Sequence, residues 1–320
     1  MKRRMIILMV VSTVLVLISI VAGPRFINPF SLNDTTWEIL FRIRLPRVVV
    51  AMLMGSALGA SGAILQGILR NPLADPYILG ISSGAALMAV LGILLGSTVF
   101  GALTVPILAF IGSVLTGVTV GALGYRRGKI WPERLLLAGV GIGFLLTAVL
   151  MLMMSVASDQ GIRRAILWIF GDLSLADWTM IPYGFFFILT GFVISLWRYK
   201  GLNALMLGDD IAHSLGFAPS RERLILFVSV GLMVAASVSL GGVVGFVGLL
   251  IPHIVRFFVG SDNKLLVPLS AVAGGAMLCV ADMIGRSVMA PMELPAGLIT
   301  AVLGAPYFLY LLRRKEILGV

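Results

Sequence analysis

Long apolar runs alternate with short polar stretches along this chain, and most runs are close to the roughly 20 residues that a helix needs to cross a bilayer. This pattern predicts an all-α, polytopic membrane protein that forms one domain over residues 1–320. Only Gly241 and Gly242 divide the seventh run from the eighth, which predicts a tight turn or a broken helix there. The ten predicted spans are 5–22, 47–68, 78–98, 102–124, 134–156, 179–197, 224–240, 241–259, 265–284 and 295–312.

Residues 198–223 form a polar stretch between two apolar runs and are here termed the polar segment. Within it, Leu207, Ile211 and Leu215 recur every four residues, which is typical of one apolar stripe along a short helix. A compact helix kept outside the bilayer indicates a docking element for another protein. An ordinary loop helix lying at the membrane surface is the alternative interpretation of the same pattern.

The ends of this predicted helix carry residues that suit helix termini. Asp209 and Asp210 fit an N-terminus, where the helix dipole favours negative charge. Gly216 fits a C-terminal stop, because glycine adopts the left-handed backbone conformation that ends many helices. The polar segment is therefore predicted to be ordered rather than a loose connection.

The distribution of charge predicts which side of the membrane each stretch occupies. Charged residues make up 12% of the chain and the net charge is +10, whereas an ordinary soluble domain has about 25% charged residues. With a cytoplasmic N-terminus, 17 of the 24 basic residues lie inside, while the acidic residues divide equally. The positive-inside rule explains this charge better than a nucleic-acid partner would. Both termini and the polar segment are therefore predicted to be cytoplasmic, and the first run is interpreted as a retained span rather than a signal peptide.

Two stretches on the predicted outer side, 24–47 and 155–178, are long enough to carry structure. In the second, Ile162, Ala165 and Ile169 have helical spacing, which predicts a short helix at the outer surface.

Three arginines, Arg44, Arg47 and Arg286, lie on the outer side against the charge bias of the chain. Contact with an acidic partner surface is one use for such residues. Snorkelling of their side chains to lipid phosphates is the alternative.

The stretch after the second run contains Pro72 and Pro76, which forbid a continuous helix. Asn71 and Asp75 can bond the freed backbone groups there. A plain turn would look like this, and so would a rigid gate at the inner mouth of a pathway.

Several function classes lack their motifs in this sequence. Gly128 and Lys129 match the Gly-Lys pair near the end of a Walker A motif, but Leu123 stands where that motif requires its first glycine. ATP binding through a P-loop is therefore excluded. No carboxylate falls near the centre of a span, which argues against an ion-coupled carrier. No nucleophile–base pair or metal-ligand set is visible, which argues against an intramembrane enzyme.

Taken together, these clusters resemble the FecCD-type permeases of type II ABC importers, a family that takes up iron-siderophores, haem and cobalamin. The matching segments run from the second predicted span to the last. They are Arg44-Leu-Pro-Arg47, residues 61–80, Leu135-Leu-Leu-Ala-Gly-Val140, residues 205–209 with 214–216, residues 245–256, and Glu293-Leu-Pro295 with Leu303-Gly-Ala-Pro306.

The resemblance implies ten helices per subunit, a second permease subunit that makes a homodimer, and two separate ATPase subunits. These ATPases hold ATP and magnesium, so this chain is expected to bind no cofactor itself. The resemblance also implies that the polar segment presses into a cleft on the ATPase. The residues carried over for this coupling are Leu207, Gly208, Asp209, Ala212, Leu215 and Gly216.

The resemblance assigns two further sets of residues. The outer Arg44, Arg47 and Arg286 are implied to engage acidic residues on an extracytoplasmic substrate-binding protein. The inner constriction is implied to contain Asn71, Leu73, Pro132 and Glu133. The path is implied to lie between the fifth and tenth spans of the two subunits, where the fifth offers Met151, Met153, Met154 and Ser155.

The leading hypothesis is therefore a permease subunit in a prokaryotic cytoplasmic (inner) membrane that imports a metal chelate. Ferric siderophore is the first choice of cargo, with haem, cobalamin or an oxyanion as alternatives. A self-powered secondary carrier or channel and an intramembrane enzyme are the competing classes.

Overall fold

The computed structural model of the chain is a bundle of α-helices, and it describes residues 2–24 and 33–313. Residues 25–32 of the predicted outer segment 24–47 fall outside this description. The helices are α1 (Lys2–Val21), α2 (Asp34–Glu38), α3 (Leu45–Ile68), α4 (Ile81–Leu94), α5 (Thr104–Gly124), α6 (Pro132–Ser155), α7 (Asp159–Ile169), α8 (Ile181–Trp197), α9 (Tyr199–Leu207), α10 (Asp209–Ser214), α11 (Pro219–Gly241), α12 (Val247–Val259), α13 (Asn263–Val288) and α14 (Ala296–Arg313).

Seven helices in the described part of the chain are long and apolar enough to cross a membrane, namely α1, α3, α5, α6, α8, α11 and α13. Three shorter apolar helices, α4, α12 and α14, accompany them. Each of the ten predicted spans overlaps one of these helices. The hydrophobic pattern therefore located the apolar helices.

Two of the short helices begin later than the sequence predicts, because the backbone before each one leaves the helical conformation. The predicted span 78–98 yields α4 only after Gly80, which has φ 71°. The predicted span 241–259 yields α12 only after Gly242 (φ 82°) and Phe246 (φ 68°). The 14 residues of α4 and the 13 of α12 extend about 21 and 20 Å, less than the roughly 30 Å thickness of a bilayer core.

Helix α3 lies at the centre of the bundle, with 78% of its most apolar stretch buried, against 17% for α1 and α6. Gly55 and Gly59 contact the backbone of α13 at Gly274, and Gly62 contacts Gly248 of α12. A Cβ atom on any of these three α3 glycines would overlap a carbonyl oxygen of the neighbouring helix. The spacing of Gly55 and Gly59 thus marks a close helix crossing, as small residues four apart commonly do in membranes.

The one piece of β structure in the described part of the chain is a short hairpin between α5 and α6, which the all-α prediction did not include. Strands β1 (Tyr125–Arg126) and β2 (Lys129–Ile130) pair antiparallel. Arg127 (φ 51°) and Gly128 (φ 78°) form the turn, which has the positive φ angles of a tight two-residue hairpin loop.

The helix predicted within residues 155–178 is present as α7. The Ser158 hydroxyl caps it by accepting from the Gly161 N–H, at 3.4 Å. Ala165 and Trp168 are buried against the bundle. One face of α7 is therefore fixed to the protein, while the other is left exposed.

Candidate functional site

A cavity of about 830 Å³, here termed the central cavity, opens among α4, α6, α7, α14 and the non-helical residues between α11 and α12. Its lining is largely apolar and contains no lysine, arginine or histidine among the described residues. The polar lining side chains are Asp75, Tyr77, Ser82, Ser83 and Thr147, and the apolar ones include Leu73, Met151, Met154, Ile166, Phe246 and Phe308.

The structure brings together only part of the predicted path. Met151 and Met154, three residues apart on α6, both line the central cavity. Met153 and Ser155 are not among its lining residues. Helices α6 and α14, which correspond to the fifth and tenth predicted spans, face the cavity from two sides.

Asp75 is the ionisable acid of the central cavity. One carboxylate oxygen, Oδ1, accepts from the Tyr77 N–H at 2.8 Å, while Oδ2 has no hydrogen-bond partner among the described residues. Burial raises the pKa of Asp75 to about 6, although bonds from the Tyr77 and Leu249 backbone act in the opposite direction. The carboxyl group therefore loses its charge as the pH falls through about 6.

The residues predicted for an inner constriction divide between two places. Leu73 lines the central cavity, whereas Pro132 and Glu133 line a second cavity of about 770 Å³, here termed the charged cavity, together with Asp209. Asn71 fixes the turn between them, because its side-chain oxygen accepts from the Leu73 N–H at 2.9 Å.

The prediction of one helix in the polar segment is wrong. Gly208, with φ 121°, separates α9 from α10, so the three predicted stripe residues lie on two helices and the turn that follows. Leu207, Ile211 and Leu215 are nevertheless 62, 46 and 58% exposed. Gly216 has φ 86°, which confirms the predicted C-terminal stop.

Two residues predicted to contact another protein have partners inside the chain instead. Ala212 is fully buried. The Asp209 carboxylate, at the first position of α10, accepts from both Arg70 and Arg223. Asp209 therefore anchors α10 to the bundle in addition to suiting a helix N-terminus.

Arg44, Arg47 and Arg286, which the resemblance assigns to docking of a substrate-binding protein, are 5, 5 and 3% exposed in this structure and are bound within the chain. The Arg44 guanidinium donates to the carbonyl oxygens of Val21 at 2.6 Å and Ile20 at 3.3 Å. These are C-terminal carbonyls of α1, which lack helical partners and are stabilised by a cation.

The other two arginines share one buried carboxylate. Arg47 Nε donates to Asp282 Oδ1 at 2.8 Å, and Arg47 Nη1 donates to Glu293 at 2.6 Å. Arg286 Nε lies 2.9 Å from Asp282 Oδ2, and its Nη2 donates to the Ser19 carbonyl at 3.1 Å. This network ties α1, α3, α13 and the α13–α14 connection together.

A family model described as the FecCD transport family matches residues 6–314. The chain belongs to this family. It is 40% identical over 289 residues to the hemin transport system permease protein HmuU of Yersinia pestis, covering 89% of this chain and 86% of that protein. It is 41% identical over 288 residues to the cobalamin import system permease protein BtuC of Halobacterium salinarum, covering 90% and 77%.

Among solved structures, a metal-chelate type ABC transporter in an inward-facing conformation superposes with a TM-score of 0.88 at 28% identity. The match covers 98% of this chain and all of that chain. The FecCD family resemblance and the helical fold derived from the hydrophobic pattern are thereby confirmed.

Sequence reasoning missed the internal partners of the FecCD-family motifs. Arg70 and Arg223 bind Asp209, while Asp282 and Glu293 bind Arg47. The signal available was that each of these charges except Asp209 stands at or near the end of an apolar run, where an unpaired charge is costly.

We expect Asp282→Ala to lower the free energy of unfolding by about 3–5 kcal/mol, because it leaves two buried cations without their shared carboxylate. Thermal unfolding of the purified protein in detergent would measure this. Arg42→Ala is the control, since Arg42 is 79% exposed and lies 4.0 Å from Glu38, and such a pair contributes at most about 1 kcal/mol. Equal melting temperatures for the two variants would contradict a stabilising role for the network.

Proposed function

We propose that this chain is the permease subunit of an ATP-driven importer in the cytoplasmic membrane of a prokaryotic cell. It spans the membrane ten times, with α4, α12 and α14 as short spans and both termini in the cytoplasm. The asymmetry of basic residues supports this orientation. The subunit does no covalent chemistry and carries no cofactor; ATP and magnesium belong to two separate ATPase subunits.

The exposed apolar side chains of the polar segment carry this proposal. Leu207, Ile211 and Leu215 stand in a stretch rich in charge, and the described part of the chain does not bury them. An apolar patch with a polar rim marks a protein interface. The sequence lacks a Walker A motif, so an interface with a nucleotide-binding subunit supplies the energy source that the chain itself lacks.

A second copy of the chain completes the pathway in this proposal. Helix α6 leaves Leu137, Phe144 and Leu152 strongly exposed, and the same helix lines the central cavity through Met151 and Met154. Packing two copies along α6 and α14 would enclose the path between their central cavities, and the remaining apolar surfaces would face lipid. ATP-driven closure of the ATPases would move the polar segments and switch access from one side to the other.

The cargo is a metal chelate with an uncharged, largely apolar surface, and a neutral ferric trihydroxamate siderophore is the first choice. The relatives named for hemin and for cobalamin are 40 and 41% identical, so similarity alone does not select between cargoes. The lining offers no cation to a polyanionic chelate and presents the Asp75 carboxylate instead. Burying an anion beside a carboxylate is unfavourable, whereas a neutral complex escapes this cost.

The outer face receives the substrate-binding protein through exposed cations on α7. Arg163 and Arg164 are exposed there, unlike the buried Arg44, Arg47 and Arg286. Helix α7 also lines the central cavity through Ile166 and Ile169, so a protein bound to its outer side stands at the cavity mouth.

We expect Leu207→Ser combined with Leu215→Ser to abolish co-purification of the ATPase and ATP-driven uptake in proteoliposomes, because both side chains are exposed and their apolar area is lost to the interface. Leu175→Ser is the control, as an exposed leucine on the outer segment. Uptake driven by a pH gradient in vesicles without the ATPase would overturn the proposal in favour of a secondary carrier.

We expect the permease–ATPase complex, without its binding protein, to bind a neutral ferric trihydroxamate more tightly than ferric citrate at pH 7.5. Below about pH 6 the Asp75 carboxyl becomes neutral, so the affinity for ferric citrate should rise. Asp75→Asn should raise that affinity about tenfold, equivalent to about 1.4 kcal/mol, and remove its pH dependence. Tighter binding of ferric citrate by the unaltered complex at pH 7.5 would contradict the proposed cargo.

We expect Arg163→Glu with Arg164→Glu to weaken docking of the binding protein at least about tenfold at low salt, because rim charges attract a complementary surface. Surface plasmon resonance against the reconstituted complex would measure it. The matched control, Arg126→Glu with Arg127→Glu, makes the same charge change on the exposed inner hairpin. Unchanged affinity in the α7 variant would exclude this docking surface.

A further inference from the structure

The inner end of α3 is joined to the polar segment by one arginine. Arg70 follows α3 with φ 49°, a left-handed conformation that is uncommon for a residue other than glycine. Its Nε donates to the Leu205 carbonyl of α9 at 2.8 Å, and its Nη2 donates to the Asp209 carboxylate of α10. A single side chain therefore contacts both helices of the polar segment.

A second arginine holds the same carboxylate from the other side. Arg223, buried on α11, donates through Nη1 to Asp209 Oδ2 at 2.7 Å and through Nη2 to Oδ1. Asp209 thus receives donors from the end of α3 and from the start of α11. A two-pronged arginine–carboxylate contact fixes orientation as well as distance.

The two helices of the polar segment are attached to the bundle differently. Helix α9 has further bonds: Arg198 pairs with Glu222 at 3.1 Å, and Asn203 accepts from Asn263 at 2.7 Å. Among the described residues, the side-chain hydrogen bonds between α10 and the rest of the bundle are made by Asp209. Gly208, between the two helices, has no neighbouring atom within 4 Å of a Cβ position, so the junction of α9 and α10 is not packed against another element.

Acidic residues that line the charged cavity interact electrostatically with Arg70. Burial has the largest effect on Arg70 and lowers its pKa. Glu133, at the start of α6, and Asp210 act in the opposite direction, because they stabilise the charged form of Arg70. Asn71 follows Arg70 directly in the chain, and its turn carries Leu73 into the central cavity. Arg70 is therefore placed between α10 and the turn that borders the central cavity.

We propose that Arg70 and Asp209 form the mechanical connection through which a displacement of α10 reaches the Asn71–Leu73 turn. In this proposal Asp209 acts within the permease, and the exposed Leu207, Ile211 and Leu215 make the contact with the ATPase. The inference rests on the proposed function. When the ATPase moves α10, the Asp209 carboxylate draws the Arg70 guanidinium with it, and the peptide bond to Asn71 transmits the shift to the turn.

Arg70→Gly tests the connection, because glycine adopts the left-handed backbone conformation freely and only the side chain is removed. The permease–ATPase complex in proteoliposomes should keep its assembly and its ATP hydrolysis rate, while cargo uptake per ATP hydrolysed falls at least tenfold. Arg70→Lys should restore part of the uptake, since one ammonium can pair with Asp209 without also reaching Leu205. Arg127→Gly is the matched control, as an exposed arginine with φ 51° on the hairpin.

Unchanged uptake per ATP in Arg70→Gly would overturn the inference. If that variant does not assemble, Asp209→Asn in the same assay decides, because it keeps the side-chain shape and removes the charge that holds both arginines. Normal coupling in Asp209→Asn would equally overturn the connection. Failure of the proposed function looks different: the double serine variant at Leu207 and Leu215 would then retain its ATPase, whatever the result at Arg70.

Discussion

The contact of α3 with α12 and α13 places backbone directly against backbone, and side chains are excluded from it at Gly55, Gly59 and Gly62. In lipid, helices associate through close packing rather than through release of water, so such crossings set how tightly a bundle can close. Here the crossing puts α3 at the centre of the fold. The charge network around Arg47 lies at the N-terminal end of α3, and the Asn71–Leu73 turn, which borders the central cavity, follows its C-terminal end.

The two ends of α3 hold charge in contrasting ways. At its N-terminal end, the Arg47 and Asp282 side chains are 6 and 1% exposed while Glu293 is half-exposed, so the Arg47–Asp282 pair is a fixed joint between α3 and α13. At its C-terminal end, the Arg70 and Asp209 side chains are 40 and 47% exposed, although Arg223, the second partner of Asp209, is buried. A buried ion pair that loses one partner is strongly destabilised, whereas a half-exposed pair can rearrange with water replacing the lost bonds. The Arg47–Asp282 ion pair is therefore more rigid than the Arg70–Asp209 ion pair.

The sequence predicted what depends on local pattern and left out what depends on distant contacts. Apolar runs located all ten apolar helices, and Gly216 correctly ended the polar segment. The periodicity of apolar residues wrongly predicted one helix across Gly208. The spacing of four residues continues there, although the backbone of Gly208 (φ 121°) ends one helix before the next begins. The sequence singled out Arg47 as a charge at the end of an apolar run, but its carboxylate partners stand more than 200 residues away along the chain. Pairing at such separations leaves no periodic trace, so the burial of Arg47 could not be read from residue order.

The shortness of α4 and α12 changes the electrostatic barrier that a cargo meets. A polar solute that crosses a bilayer loses its hydration over the roughly 30 Å of hydrocarbon. The desolvation free energy in a low-dielectric interior is several kcal/mol per ion. Helices of about 20 Å that end beside the central cavity leave part of that thickness to polar turn backbone. Solvent can then follow the cargo partway in, and the stretch over which its hydration must be given up is shortened before any partner protein expends energy.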